Sequence, residues 1–280
     1  MSSDITTTGT QTYNGPVRLV SGDRTVSTTN SNVIFASTVN SDGTQRALTV
    51  TNGTGDTTFS GAIGGSAPVK SLTITSDQLT AGAITLNGAL TATLGGSSSI
   101  TGVIANGAST ANLVKAGSGT LTLSGANTYT GTTTINAGDL TVSGSLHDST
   151  AVTIASGADY NVNASDTVAS IEGAGNIVIA SSQTLTAGDG NDKTLSGVIS
   201  GAGNYIKAGS GTQTLSASNT YTGTTQVSAG TLTVSGSGRL SDSTAVTVDS
   251  GAVYNVAVSD TVASIAGAGS ITLGLSLIHI

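Results

Sequence analysis

The stretch KAGSGTLTLSGANTYTG, residues 115–131, returns almost unchanged as KAGSGTQTLSASNTYTG at 207–223. Its Thr-Leu-Thr-Leu core alternates polar and apolar residues, the period of a strand with one buried face. The glycines around that core supply the conformational freedom of tight corners. The offset of 92 continues through AGDLTVSGS at 137–145 and AGTLTVSGS at 229–237. Then DSTAVTIASGADYNV (148–162) matches DSTAVTVDSGAVYNV (242–256), and SDTVASIEGAGNI (165–177) matches SDTVASIAGAGSI (259–271), both at 94. A two-residue insertion near Gly238-Arg239 accounts for the slip.

Inside this long unit runs a shorter rhythm. Strand-like clusters centre near Leu121, Thr133, Leu140, Val152, Tyr160, Val168, Ile177, Leu185, Leu195 and Tyr205, about 9 residues apart, with Gly, Asn, Asp or Ser in each gap. No segment keeps a 3.6-residue apolar period over a helix length. Strands at this spacing suit a sandwich or barrel, or a β-helix with about three short strands per coil. The two-residue slip favours the second, because an insertion at a corner leaves stacked strands in register. The expectation is an all-β, right-handed parallel β-helix of roughly a dozen coils. It runs as one continuous solenoid over 5–274: diverged repeats at 5–112, a repeat unit at 113–206 and a second, incomplete one at 207–274. Residues 275–280, LSLIHI, lack Gly, Thr and Asn and read either as sequence foreign to the repeat or as a hydrophobic end strand.

Composition agrees. Of 280 residues only 8% are charged and 3% aromatic, 39 are Gly, and there is no Cys or Trp. Recurrent Val, Ile and Leu argue against disorder, and their short clusters predict a thin core stacked along an axis. A net charge of −7 with eight Lys and Arg excludes a basic nucleic-acid footprint. No apolar run is long enough for a transmembrane helix. Met1-Ser2-Ser3-Asp4 has neither the basic nor the apolar region of a signal peptide, so an export signal is expected outside this chain.

The block 113–142, with K-x-G-x-G-T-L-x-L-S-G-x-N-T-Y-T-G followed by T-x-I-x-A-G-x-L, resembles the passenger-associated transport repeat of autotransporters. It recurs at 207–234, where Gln213 replaces an apolar residue. Ile5 to Gly65 resembles, more weakly, the repeats of filamentous-haemagglutinin-type adhesins. The resemblance implies a β-helical passenger exported across the outer membrane and displayed on a Gram-negative cell, with repeats associated with export and folding. It carries over no catalytic residue. The partners it points to are host-cell or abiotic surfaces, or further copies of the chain.

The rival readings are a β-helix polysaccharide-degrading enzyme and a calcium- or ice-binding solenoid. Such an enzyme needs clustered carboxylates, whereas Asp139, Asp148, Asp159, Asp166, Asp242 and Asp260 are scattered singly at turns. Asp148 and Asp242 are repeat equivalents, as are Asp166 and Asp260, which suits turn or capping residues. The histidines, His147 and His279, have no partner His. The expectation is therefore no catalytic residue, no cofactor and no enzyme. Ala187-Gly188-Asp189-Gly190-Asn191-Asp192-Lys193 approaches one calcium-binding nonapeptide, making Asp189 and Asp192 weak metal candidates; a single copy lacks the adjoining turn that completes coordination. Thr-x-Thr triplets start at 49, 73, 91, 120, 184 and 231. Regular Thr-x-Thr arrays on a flat β-helix face occur in ice-binding proteins. The intervals here are irregular, so the triplets need not stack, and ordinary solvent-facing threonine is the better reading.

Overall fold

A computed structural model describes residues 1–274 of the chain. Those residues contain short strands and no helix, and all the strand pairs are parallel. The fold is a parallel β-solenoid, and it divides into two compact units, Met1–Thr150 and Ala151–Ile280.

In the first unit one sheet stacks Ile5–Thr7, Arg24–Thr28, Leu48–Thr51, Leu72–Ser76, Ala89–Leu94, Asn112–Ala116 and Thr133–Ile135. A second stacks Gln11–Tyr13, Val33–Phe35, Thr57–Phe59, Leu79–Ala81, Ser98–Ile100, Thr120–Leu123 and Gly138–Val142. The third side is shorter, with Val17–Leu19 on Val39–Ser41 and Ile84–Leu86 on Ile104–Asn106. In the second unit the sheets are Ala151–Ile154, Ser170–Gly173, Lys193–Leu195, Thr212–Leu215, Thr231–Val234, Val253–Val256 and Ser270–Leu273; Ala158–Val162, Asn176–Ile179 and Ile199–Gly201; and Asp166–Val168, Thr184–Ala187, Asn204–Lys207, Thr225–Val227, Ala245–Val248 and Ser264–Gly267.

Alternation along each strand sends one residue inward and the next outward. In the first unit Val26, Val50, Ile74, Ala92, Lys115 and Ile135 form one inward column, each partnering the next across the ladder. Leu48, Leu72, Leu90 and Leu113 form the column beside it, fully buried. Each such aliphatic side chain contributes about 1.5–3 kcal/mol by leaving water. On the second sheet Tyr13, Phe35 and Phe59 stack with ring centroids 4.8 and 4.7 Å apart.

The inward column also measures the coils. Val26, Val50, Ile74, Ala92, Lys115 and Ile135 are separated by 24, 24, 18, 23 and 20 residues. Coil length varies while register holds, because corners absorb the difference. The two-residue slip between the motif copies is of this kind. Val142 and Val234 still stand 92 apart, each at the end of its strand, whereas Ser145 and Arg239, which bridge to Ala126 and Ser218, stand 94 apart. The extra residues lie in the turn between, where Gly236 takes φ +65°.

Three strands per coil hold for the N-terminal coils, such as Leu72–Ser76, Leu79–Ala81 and Ile84–Leu86. In the motif coils the third side is a loop, 124–132 in the first copy and 216–224 in the second. The triplets starting at 49, 73 and 91 stack in register, contrary to the expectation from their irregular intervals. Those intervals, 24 and 18, are themselves coil lengths. The triplet at 120 lies on a different sheet of the same unit.

Candidate functional site

Each motif copy folds as a coil laid on itself. In the first, Leu113 and Lys115 pair with Thr133 and Ile135, and Leu121 pairs with Leu140. In the second, Tyr205 and Lys207 pair with Thr225 and Val227, and Gln213 pairs with Leu232. The motif's Lys, Asn and Tyr side chains, at 115, 127 and 129 and at 207, 219 and 221, are buried and hydrogen-bonded within the fold.

Lys115 and Lys207 sit at inward positions of their strands and are 0% and 1% exposed. The Nζ of Lys115 donates to the carbonyls of Ala116 (3.1 Å), Gly117 (2.9 Å) and Ala137 (3.0 Å). Lys207 repeats this with Ala208 (2.6 Å), Gly209 (2.9 Å) and Ala229 (3.1 Å). Three donors meet three acceptors, two on the lysine's own corner and one on the next coil. Burial pushes the Lys115 amine down to about 8, with Asp139 pulling the other way. Lys207 is lowered by burial too, against Asp189 and Asp192.

Asn127 and Asn219 occupy the loop side. Asn127 accepts from the Ile104 amide (3.0 Å) and donates to the carbonyls of Gly125 and Ser145, both at 2.9 Å. Asn219 does the same with Ile199 (2.8 Å), Ala217 (3.0 Å) and Arg239 (2.9 Å). One buried amide thus ties three successive coils. Tyr129 and Tyr221 reach Thr133 and Thr225 through their hydroxyls, and Thr150 and Thr244 return bonds to the carbonyls of Tyr129 and Gly223. Burial raises the Tyr221 phenol far above its ordinary range. These lysines and asparagines had no assigned role in the sequence. The usable signal was a lysine recurring at repeat-equivalent positions between apolar neighbours, in a chain with few charges.

The scattered acids stay scattered. Asp166 and Asp260, repeat equivalents, accept from the hydroxyls of Tyr160 (2.9 Å) and Tyr254 and so brace the coil interior. Asp159 bonds Asn176, Asp139 bonds Thr120, and Asp148 and Asp242 are exposed in turns. His147 Nδ1 lies 2.8 Å from Ser149 Oγ within its own loop; His279 and the tail 275–280 lie outside the described residues. Among the described residues no three of His, Cys, Asp and Glu converge.

Asp189 has both oxygens engaged by Asn191, at 2.8 and 3.0 Å. Burial would raise its carboxyl, but those hydrogen bonds hold it below the usual range. Asp192 caps the Thr212 amide at 2.8 Å. An open groove of about 460 Å³ beside Pro16, Arg18, Asn40 and Ser66 contains one carboxylate, Asp42, and that is paired with Arg46. No second acid stands there for acid–base chemistry.

On the outer face of the first sheet four rows stack in register: Thr25 and Ser27, Thr49 and Thr51, Thr73 and Thr75, Thr91 and Thr93. The residues between them, Val26, Val50, Ile74 and Ala92, are fully buried.

The family model of the passenger-associated-transport-repeat matches residues 113–142 and 206–234. The chain therefore carries two such repeats, and with the parallel solenoid around them it fits an autotransporter passenger, a class of secreted or surface protein of Gram-negative bacteria. The match does not extend to the likeness of Ile5 to Gly65 with filamentous-haemagglutinin-type repeats. Searches of curated proteins and of solved structures each return no match. No helix among the described residues is long and apolar enough to cross a membrane.

Proposed function

We propose that this chain is a structural segment of an autotransporter passenger. It serves as stalk or adhesin on a Gram-negative cell, and its repeats assist export and folding. The observation that carries the reading is that the motif's distinctive polar residues, Lys115, Asn127 and Tyr129 and their counterparts, are spent on the coil's own backbone and neighbours. Groups used in this way hold coils together and are not free to act on a substrate. The reading takes 5–274 as one continuous β-helix, anchored at the outer membrane through parts of the full protein other than this segment. Its partners are a host-cell or abiotic surface, or another copy.

The test is display of the segment on a non-adherent Gram-negative strain, with attachment to glass and epithelial cells counted. Attachment that the purified segment competes away places adhesion in these repeats. With display confirmed, unchanged attachment removes the adhesin role and leaves a spacer.

A further inference from the structure

We propose that the four hydroxyl rows of the first sheet, three of paired threonines and an end row of Thr25 with Ser27, whose hydroxyl is bonded to Thr6, are an ice-binding surface. This inference does not rest on the passenger reading. Ice differs from liquid water only in the fixed positions of its molecules, so a protein distinguishes the two by presenting a fixed grid. Here the ladder spaces the rows about 4.8 Å apart, and two residues of strand space the columns about 6.7 Å apart. Those spacings are close to the oxygen repeats on the surface planes of hexagonal ice. The grid extends over about 14 Å along the stack.

The side chains suit the task. Threonine is stiff at χ1, so each hydroxyl and methyl is placed before contact and little freedom is lost on binding. The buried partners Val26, Val50, Ile74 and Ala92 fix each row from beneath. Among the described residues the hydroxyls of Thr49, Thr51, Thr73, Thr75, Thr91 and Thr93 make no hydrogen bond within the protein.

What the face lacks selects against other occupants. The eight outward positions of the four rows hold no aromatic ring for a sugar to stack on and no charge for a phosphate or lipid headgroup. Arg24, at the start of its strand, is turned to the carbonyls of Val20 and Asp23, and Lys70 and Asp23 pair at the corner. The array ends where Val114 and Ala116 replace the hydroxyls in the next row.

The experiment is thermal hysteresis and inhibition of ice recrystallisation with the full chain, its folded state checked by circular dichroism. Thr73→Lys and, in case that variant fails to fold, Thr75→Lys disrupt the grid; Thr58→Lys is the control, outward on the second sheet. The expected result is measurable hysteresis or recrystallisation inhibition, lost in the grid variants and kept in Thr58→Lys. Folded wild-type chain without either activity overturns the proposal, as does equal loss in the control.

Discussion

A lysine in an aliphatic interior is tolerated where its donors are met, and Lys115 shows how close the balance is. Removing the amine strands three carbonyls, and a buried acceptor left unpaired costs roughly 1–3 kcal/mol. Lys115→Ala is expected to lower the urea midpoint by about that free energy, and Lys207→Ala likewise. The pH dependence has a defined sign. The amine is held down near 8 in the fold and returns to its ordinary value of 10.5 on unfolding. Between those values the unfolded chain binds more protons, so stability rises with pH. The gain is expected from about pH 8 to about pH 10 and is smaller in Lys115→Met, where only Lys207, also lowered by burial, still contributes. Above that range it is opposed, because the phenols of Tyr205, Tyr221 and Tyr254 are raised by burial and ionise first in the unfolded chain. Asn127 makes a second prediction. Asn127→Ala orphans the buried Ile104 amide, while the Gly125 and Ser145 carbonyls keep backbone donors, and is expected to cost about 1–3 kcal/mol, read as a shift in thermal midpoint. Asn127→Asp keeps the acceptor for Ile104 and loses the two donors.

At the scale of strands and corners, coils approach too closely for ordinary side chains. Gly117 has φ +75°, and a Cβ there would stand 2.3 Å from the Leu94 carbonyl oxygen of the coil before it. Gly117→Ala therefore combines backbone strain with a backbone clash. It is expected to destabilise by more than about 2 kcal/mol, whereas Gly15→Ala, with open space around it, is expected to be neutral in the same denaturant titration. Much of this level was legible in the sequence. All ten strand centres read from the repeat, Leu121 to Tyr205, fall within strands, since Thr-Leu-Thr-Leu or Ala-Val-Thr-Ile admits little else. The strands Ser170–Gly173 and Ile199–Gly201 were not among them, because a strand of three or four residues that ends in glycine looks like a corner. Threonine stacking was illegible for another reason. Register is set by pairing, and unequal coils hide it: Thr49 to Thr73 and Thr73 to Thr91 differ by six residues, yet both steps advance one coil. The roles of Lys115 and Asn127 needed the neighbouring coil's carbonyls, which no linear pattern supplies.

For the molecule as a whole, the shortage of charge has its own effect. Only three ion pairs occur among the described residues, Asp42–Arg46, Asp23–Lys70 and Glu172–Lys193, all partly or well exposed. Cohesion rests on ladders and buried columns, which salt screens little. Each ladder contact joins residues about 20 positions apart, so coils add one upon the next, as in other quasi-one-dimensional folds. The two buried lysines have a further consequence, for digestion. A trypsin-like protease cuts after Lys or Arg, and the chain offers eight. Two of these, Lys115 and Lys207, are sealed inside coils. Between Lys70 and Lys193 there is no other basic residue, so native chain is expected to yield a resistant fragment spanning at least 71–193, seen by mass spectrometry, while unfolded chain is also cut after Lys115. The residue that ties the coils together is thus also a cleavage site that opens only when the coil does.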